Sequence, residues 1–213
     1  MLHLYGNRLG KVEIIKRVRR GCLVPRKRRI LRHHILDAAV ELMSDEGFER
    51  FTARKIAERL NASTQPIYKE FKNMDDLKTH LTEYIQEFFK DNIFYEENTP
   101  LDMREVCNNY ILFAKKEGTL FASLFMGREL CATTLHEFIY ASLIDALNQN
   151  EFAQKQSRDN KEELLDIVWP AVHGYAILTA QGKYTMTNEQ LEYKVNHILD
   201  HSLKVWHSGL AAQ

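Results

Sequence analysis

The 213-residue chain is long enough to bury a core without disulfides or metals. Its 45% hydrophobic and 27% charged residues exclude wholesale disorder, and its 4 Pro and 9 Gly are too few for a collagen-like chain or an all-β fold with many turns. The net charge of zero hides an asymmetry: residues 1–70 hold 16 Lys+Arg against 8 Asp+Glu, so the rest is acidic and only the N-terminal part suits a polyanion.

The first segment, residues 1–25, is a basic N-terminal extension with no apolar core followed by a small-residue cleavage site, which makes it a poor secretory signal. It reads either as an arm along DNA phosphates or as the product of a misassigned start, with translation beginning at Val24 through a GTG codon. We expect no essential role for residues 1–23. Cys22, Cys107 and Cys131 are far apart and form no C-x-x-C pair, which fits buried inert thiols in a reducing cytoplasm. No apolar stretch approaches the length of a membrane span, so no membrane partner is expected.

From Arg26 onward apolar residues recur at helical spacing. Leu31, Ile35, Ala38, Ala39 and Leu42 mark one face of a first helix, stopped at Gly47. Thr52 is a suitable N-cap for a short second helix edged by Ile56, Ala57 and Leu60. Asn61 and Ala62 make a turn, Ser63 is placed to cap a third helix, and Pro66 lies in that helix's first turn with Ile67 and Phe71 facing inward. Asn73 caps a fourth helix carrying Leu77, Leu81, Tyr84, Ile85 and Phe88.

Residues 92–102 read as a connection. Helices are expected over Met103–Lys116 and Leu120–Met126 and along Leu135 to Ala146, with a polar loop at residues 148–160. A further helix covers 161–181 with a kink at Pro170, and a capping-box pair, Thr187 and Gln190, opens the last helix. The fold class is therefore all-α. Residues 26–73 form a helix-turn-helix DNA-binding domain, 74–102 a linking helix and connection, and 103–213 a helical-bundle C-terminal domain for dimerisation and effector binding.

Two short helices joined by a turn, residues 52–71, have the layout of a helix-turn-helix whose second helix enters the major groove. Ile56, Ala57, Leu60, Ile67 and Phe71 pack inward, which leaves Thr64, Gln65, Tyr68 and Lys69 outward. Gln can hold an adenine edge and Thr a thymine methyl, whereas Tyr68 and Lys69 suit phosphate oxygens. The DNA-binding set is Thr52, Arg54, Ser63, Thr64, Gln65, Pro66, Tyr68, Lys69 and Lys72.

The stretch ILDAAVELMSDEGFERFTARKIAERLNASTQPIYKEFKNMDDL, residues 35–77, resembles the DNA-binding domain of the tetracycline-repressor (TetR) family of bacterial transcription regulators. The matching residues are Ile35 to Ala39, Leu42, Gly47 and Phe48, Thr52, Ile56 and Ala57, Ser63, Ile67 and Tyr68, Phe71, Asn73, Asp76 and Leu77. The resemblance implies a homodimeric regulator, most simply a repressor. It would bind double-stranded DNA at a palindromic operator and be released by an unknown small-molecule effector. Glu70 and Met74 depart from the family pattern and remove attraction to phosphate, which Lys69, Lys72 and the run Arg26 to Arg29 can offset.

Trp169 to Gly174 is similar to a W-x-x-x-H-G pattern of one TetR C-terminal subgroup. That likeness implies a dimer interface built from Val168, Trp169, Val172, His173, Tyr175, Val195, Leu199 and Leu203, the alternative being that Trp169 and Gly174 serve the monomer core. Phe113, Phe121, Phe125 and Phe138, with Tyr140, are candidates for an effector pocket or for ordinary core. His197 and His201 lie four apart on one helix with His173 as a conceivable third ligand, but two usable positions do not make a metal site by themselves, so no metal and no cofactor is expected. An enzyme is the competing class, yet no nucleophile elbow, phosphate loop or H-E-x-x-H motif is present. A second alternative keeps the TetR-like fold but places it under the control of a protein partner.

Overall fold

A computed structural model of the chain describes residues 29–126 and 132–210. The N-terminal extension, the basic residues Arg26, Lys27 and Arg28, Cys22 and Cys131 lie outside the described residues. Ten α-helices and one two-stranded ribbon are present among the described residues, which makes the protein all-α. Two compact units divide it: residues through Phe88 together with Thr119–Leu135, and Phe89–Gly118 together with His136–Gln213.

In the first unit, α1 (Arg32–Glu46) buries Ile35, Leu36, Ala38, Ala39, Val40, Leu42 and Met43. It ends where Gly47 takes φ 79° and donates its N–H to the Met43 carbonyl at 3.1 Å, a left-handed backbone that glycine adopts without Cβ strain. A 3-10 turn (Phe48–Arg50) leads into α2 (Ala53–Arg59), whose N-cap Thr52 accepts the Lys55 N–H through Oγ1 at 3.3 Å. Helix α3 (Gln65–Glu70) follows, then α4 (Met74–Phe89). Asn73 caps α4 by accepting the Asp76 N–H at 2.8 Å, and Asp76 in return accepts the Lys72 N–H at 2.8 Å. Helix α6 (Gly118–Phe125) buries Leu120, Phe121, Ser123 and Leu124, and the Ser123 hydroxyl donates to the carbonyls of Met43 at 3.3 Å and Thr119 at 2.9 Å.

In the second unit, residues 95–100, expected as plain connection, close a small hairpin. Strands β1 (Tyr95–Glu96) and β2 (Thr99–Pro100) pair antiparallel, Tyr95 opposite Pro100. Their two-residue loop has positive φ at both Glu97 and Asn98, as the right-handed twist of a short hairpin demands. Helix α5 (Met103–Lys116) starts on a full capping box, Asp102 with Glu105. Helix α7 spans Ala132–Leu147.

The stretch expected as a loop at 148–160 contains a short helix, α8 (Glu151–Gln154), capped by Asn150. Helix α9 (Arg158–Ala180) starts earlier than the periodicity predicts, because the Ser157 hydroxyl accepts the Asn160 N–H at 3.2 Å, and it runs unbroken through Pro170. Helix α10 (Asn188–Leu210) opens on the expected pair: Thr187 N–H donates to Gln190 Oε1 at 2.9 Å, and Gln190 N–H donates to Thr187 Oγ1 at 3.3 Å. The core of this unit gathers Val106, Tyr110, Leu164, Val168, Val172, Leu191, Val195 and Leu199, all at most 2% exposed. No helix among the described residues is long and apolar enough to cross a membrane.

Candidate nucleic-acid interface

Helix α2 is fixed by its own cap and by one arginine. The Arg59 guanidinium reaches back to the end of α1, donating to Asp45 Oδ2 at 2.7 Å and Glu46 Oε1 at 3.1 Å. Those hydrogen bonds outweigh the desolvation of Arg59 and raise its pKa, while the Arg59 hydrogen bond holds the Glu46 carboxyl below the ordinary value of 4.5. The turn after α2 brings the chain round through Asn61 at φ 50°, a left-handed conformation that Asn tolerates better than most residues. The Ala62 N–H closes that turn on the Ala57 carbonyl at 3.0 Å.

The turn delivers α3 with Ile67 and Phe71 facing inward, each 1% exposed. Burying two such side chains stabilises the placement of α3 by about 1.5–3 kcal/mol each. Ser63 is exposed and does not cap α3; the N-cap is Thr64, in helical backbone and without a side-chain cap, and its carbonyl accepts from Ile67 N–H at 3.1 Å. Proline at the second helical position costs no hydrogen bond, since that N–H has no partner in a helix start.

The outward face of α3 carries Gln65, Tyr68 and Lys69, which with Pro66 line an open depression. Tyr68 is 51% exposed although its ring is large and apolar. Arg54 extends from the first turn of α2, its side chain 88% exposed while pairing with Glu58 at 3.1 Å. Thr52 and Lys72 are exposed; Thr64 is half-buried. Glu70 is half-buried at the far end of α3, away from Gln65. This short helix presents an amide, a phenol and an ammonium from a rigid apolar base, groups able to hydrogen-bond to base edges or phosphates.

Residues 35–80 match the family model described as bacterial regulatory proteins, tetR family. These residues are a TetR-family domain. About four fifths of the chain has the fold of solved TetR regulators. BioQ with its natural double-stranded DNA operator aligns with a TM-score of 0.52 at 15% identity, covering 81% of this chain and 98% of that one. A TetR family transcription regulator from Marinobacter aquaeolei VT8 aligns with a TM-score of 0.58 at 18% identity, over 79% of this chain and 93% of that one. The fatty acid degradation regulator FadR from Bacillus halodurans gives 0.56 at 18% identity, over 82% and 96%. No curated protein sequence matches.

Around α3 stand contacts that the sequence did not announce. Arg32 lies over the Phe71 ring, 4.7 Å from its centroid, at the junction of α1 and the end of α3. His80 meets the same ring edge-on at 5.7 Å. The Tyr84 hydroxyl donates to Asp37 Oδ1 at 2.6 Å, joining α4 to α1. None of these pairs has a spacing that marks it in a linear reading.

The residues named for a dimer interface lie on α9 and α10. Val168 and Val172 are 0% exposed, Val195 1%, Leu199 2% and Trp169 8%. These five side chains pack within their own chain. His173 is half-buried, its Nδ1 2.8 Å from the Tyr110 hydroxyl, in a ring cluster with Tyr110 and Trp169. Burial lowers the His173 pKa, with a smaller contribution from His136. Tyr175 and Leu203 are half-buried, and Tyr175 packs on Tyr184. The outer faces of the same two helices carry Ile167 and Val205, each 56% exposed. On that outer face a Cβ added at Gly174 would meet nothing within 4 Å.

The pocket aromatics are also packed. Phe113 and Phe138, in the second unit, sit edge-on to Phe89 at 5.3 Å and Phe94 at 5.9 Å. Phe121 and Phe125, in the first unit, pack on each other at 4.7 Å. Tyr140 donates to Asp166 Oδ1 at 2.9 Å. Cys107 is fully buried, and burial pushes its thiol up to about 12, so it is an inert thiol.

Proposed function

We propose that this protein is a homodimeric, sequence-specific transcription repressor, released from a palindromic operator by a small-molecule effector in the cytoplasm. The observation that carries the reading is the exposed Gln65, Tyr68 and Lys69 face of α3, held on the buried Ile67 and Phe71 inside a TetR-family domain. Gln65 reads an adenine edge, the Thr64 methyl touches thymine, and Tyr68, Lys69, Lys72 and Arg54 hold phosphates, with Thr52, Ser63 and Pro66 shaping the approach. BioQ, of the same fold, is seen on its own operator.

A second copy supplies the other half-site. Two reading helices about 34 Å apart fit successive major grooves. The surface for that copy is formed by α9 and α10, where the sequence names Val168, Trp169, Val172, His173, Tyr175, Val195, Leu199 and Leu203 and where Ile167 and Val205 stand exposed. An effector that favours another spacing of the two reading helices lowers DNA affinity by its differential binding.

Footprinting on the DNA that flanks the protein's own gene, titrated at several salt concentrations, tests the reading. Protection of a short palindrome with steep salt dependence supports it. Weak binding indifferent to sequence overturns it and favours control through a protein partner.

A further inference from the structure

We propose that the start of α1 carries a second DNA contact: Arg29, with the run Arg26 to Arg28 before it, enters the minor groove next to the α3 half-site and favours A·T pairs there. The proposal rests on the regulator reading and extends it from the major groove to the minor.

Charge pairing sorts the cations of the first unit. Arg54, Lys55, Arg59 and Lys78 each have a carboxylate partner. Arg29, Arg32, Lys69 and Lys72, with Arg50 in the 3-10 turn, have none among the described residues. Apart from Arg50, these unpaired cations gather at one place. The Arg32 guanidinium lies over the Phe71 ring, 4.7 Å from its centroid, and Phe71 directly follows α3. The start of α1 therefore stands beside the end of α3, where Lys69 and Lys72 are.

The fold does not account for these charges. No acidic residue stands between Glu13 and Asp37, and the first turn of α1 has none. Cations at a helix N-terminus oppose the helix dipole, and neighbouring like charges repel. A polyanion relieves both penalties.

The minor groove is the part of that polyanion within reach. With α3 in a major groove, the next minor groove lies across one phosphate strand, and a basic arm beside a reading helix can enter it. Three residues of extended chain span about 10 Å, against a minor groove about 6 Å wide. Narrow A·T tracts concentrate negative potential that draws arginine. A G·C pair instead places the guanine amino group on the groove floor, a donor facing a donor.

The test uses the full-length chain and the palindrome that footprinting protects. The base pairs adjoining each α3 half-site are set to A·T, G·C or inosine·C, the last having the major-groove edge of G·C without the guanine amino group. Wild-type protein should bind A·T and inosine·C flanks alike and G·C flanks about tenfold more weakly. The double variant Arg28→Ala, Arg29→Ala should bind all three alike and lower the salt slope by about two. Equal wild-type affinity for all three flanks overturns the proposal and leaves a grip on phosphates alone. Inosine·C behaving like G·C, or a flank preference that survives in the double variant, also overturns it. All these results leave the regulator reading standing, whereas a chain that protects no palindrome overturns that reading, and this proposal with it, before any flank is changed.

Discussion

Tyr84 and Asp37 are 47 residues apart in sequence, and their hydrogen bond, 2.6 Å from phenol to carboxylate, fastens α4 to α1 within the DNA-binding unit. A hydrogen bond to a charged group contributes about 1.5–3 kcal/mol. Tyr84→Phe keeps the ring and removes the donor, leaving a half-buried carboxylate short of one partner. Urea denaturation should show a loss of about 1–2 kcal/mol, with Asp37→Asn falling between the wild type and Tyr84→Phe. Equal stability of Tyr84→Phe and wild type would remove this bond from the account of how α1 and α4 are held.

On the proposed function, the outward face of α3 separates base reading from charge. Gln65→Ala should cost about 1–3 kcal/mol of operator affinity and relax preference at one base position. Lys69→Ala should weaken all sequences alike and lower the salt slope by about one. Both residues are exposed, so circular dichroism of the variants should match the wild type. A Gln65→Ala protein that binds its operator undiminished assigns the wrong helix to the groove.

The Arg59 clasp on Asp45 and Glu46 gives a pH signature. The Glu46 pKa is lower folded than its ordinary 4.5, first through the Arg59 hydrogen bond. The folded chain therefore binds fewer protons at this site than the unfolded chain does. Its contribution to stability is complete above pH 4.5 and is lost as pH falls through the lowered folded value. Arg59→Gln should flatten the part of the stability profile below pH 4.5 relative to wild type, measured by urea titration at a series of pH values. A profile of the same shape in both proteins places the acid sensitivity elsewhere.

Two glycines make opposite predictions. A Cβ at Gly118 would lie 2.8 Å from the Ala180 carbonyl oxygen, backbone that cannot step aside. Gly118→Ala should therefore lower the melting temperature by several degrees, a loss of about 1–3 kcal/mol. At Gly174 a Cβ meets open space inside a helix. Gly174→Ala should leave the folded chain as stable or up to about 1 kcal/mol more so. If the outer face of α9 seats a second copy, the same change should weaken self-association in sedimentation velocity.

Much of the first unit, and the start of α10, was legible because local rules decide it. Gly47, Thr52, Asn73 and the pair Thr187 and Gln190 act through neighbours three or four residues away, and each does in the structure what its position predicts. Ser63 misled because Thr64, one residue on, is already helical and starts α3 through its carbonyl. The hairpin at 95–100 was invisible, since two-residue strands have no alternation to read and Glu97 and Asn98 lack the glycine that usually marks such a turn. The C-terminal helices are less legible: periodicity shows that Val168, Val172, Val195 and Leu199 face one way, but not whether the surface they meet belongs to the same chain. Arg32, Asp37 and Arg59 were missed because their partners are distant in sequence.

Helix α6 lies in sequence after α5, yet Leu120, Phe121 and Ser123 belong to the unit that begins with α1. A ribosome making this chain has therefore exposed every residue of α3 before it supplies the helix that completes the unit carrying it. Until Phe125 emerges, that unit lacks the Ser123 bond to Met43 and the apolar cover of α6. A gene fragment ending after α4 would encode the reading helix with its supporting unit unfinished, and such a fragment should be prone to aggregation rather than a miniature DNA-binding protein.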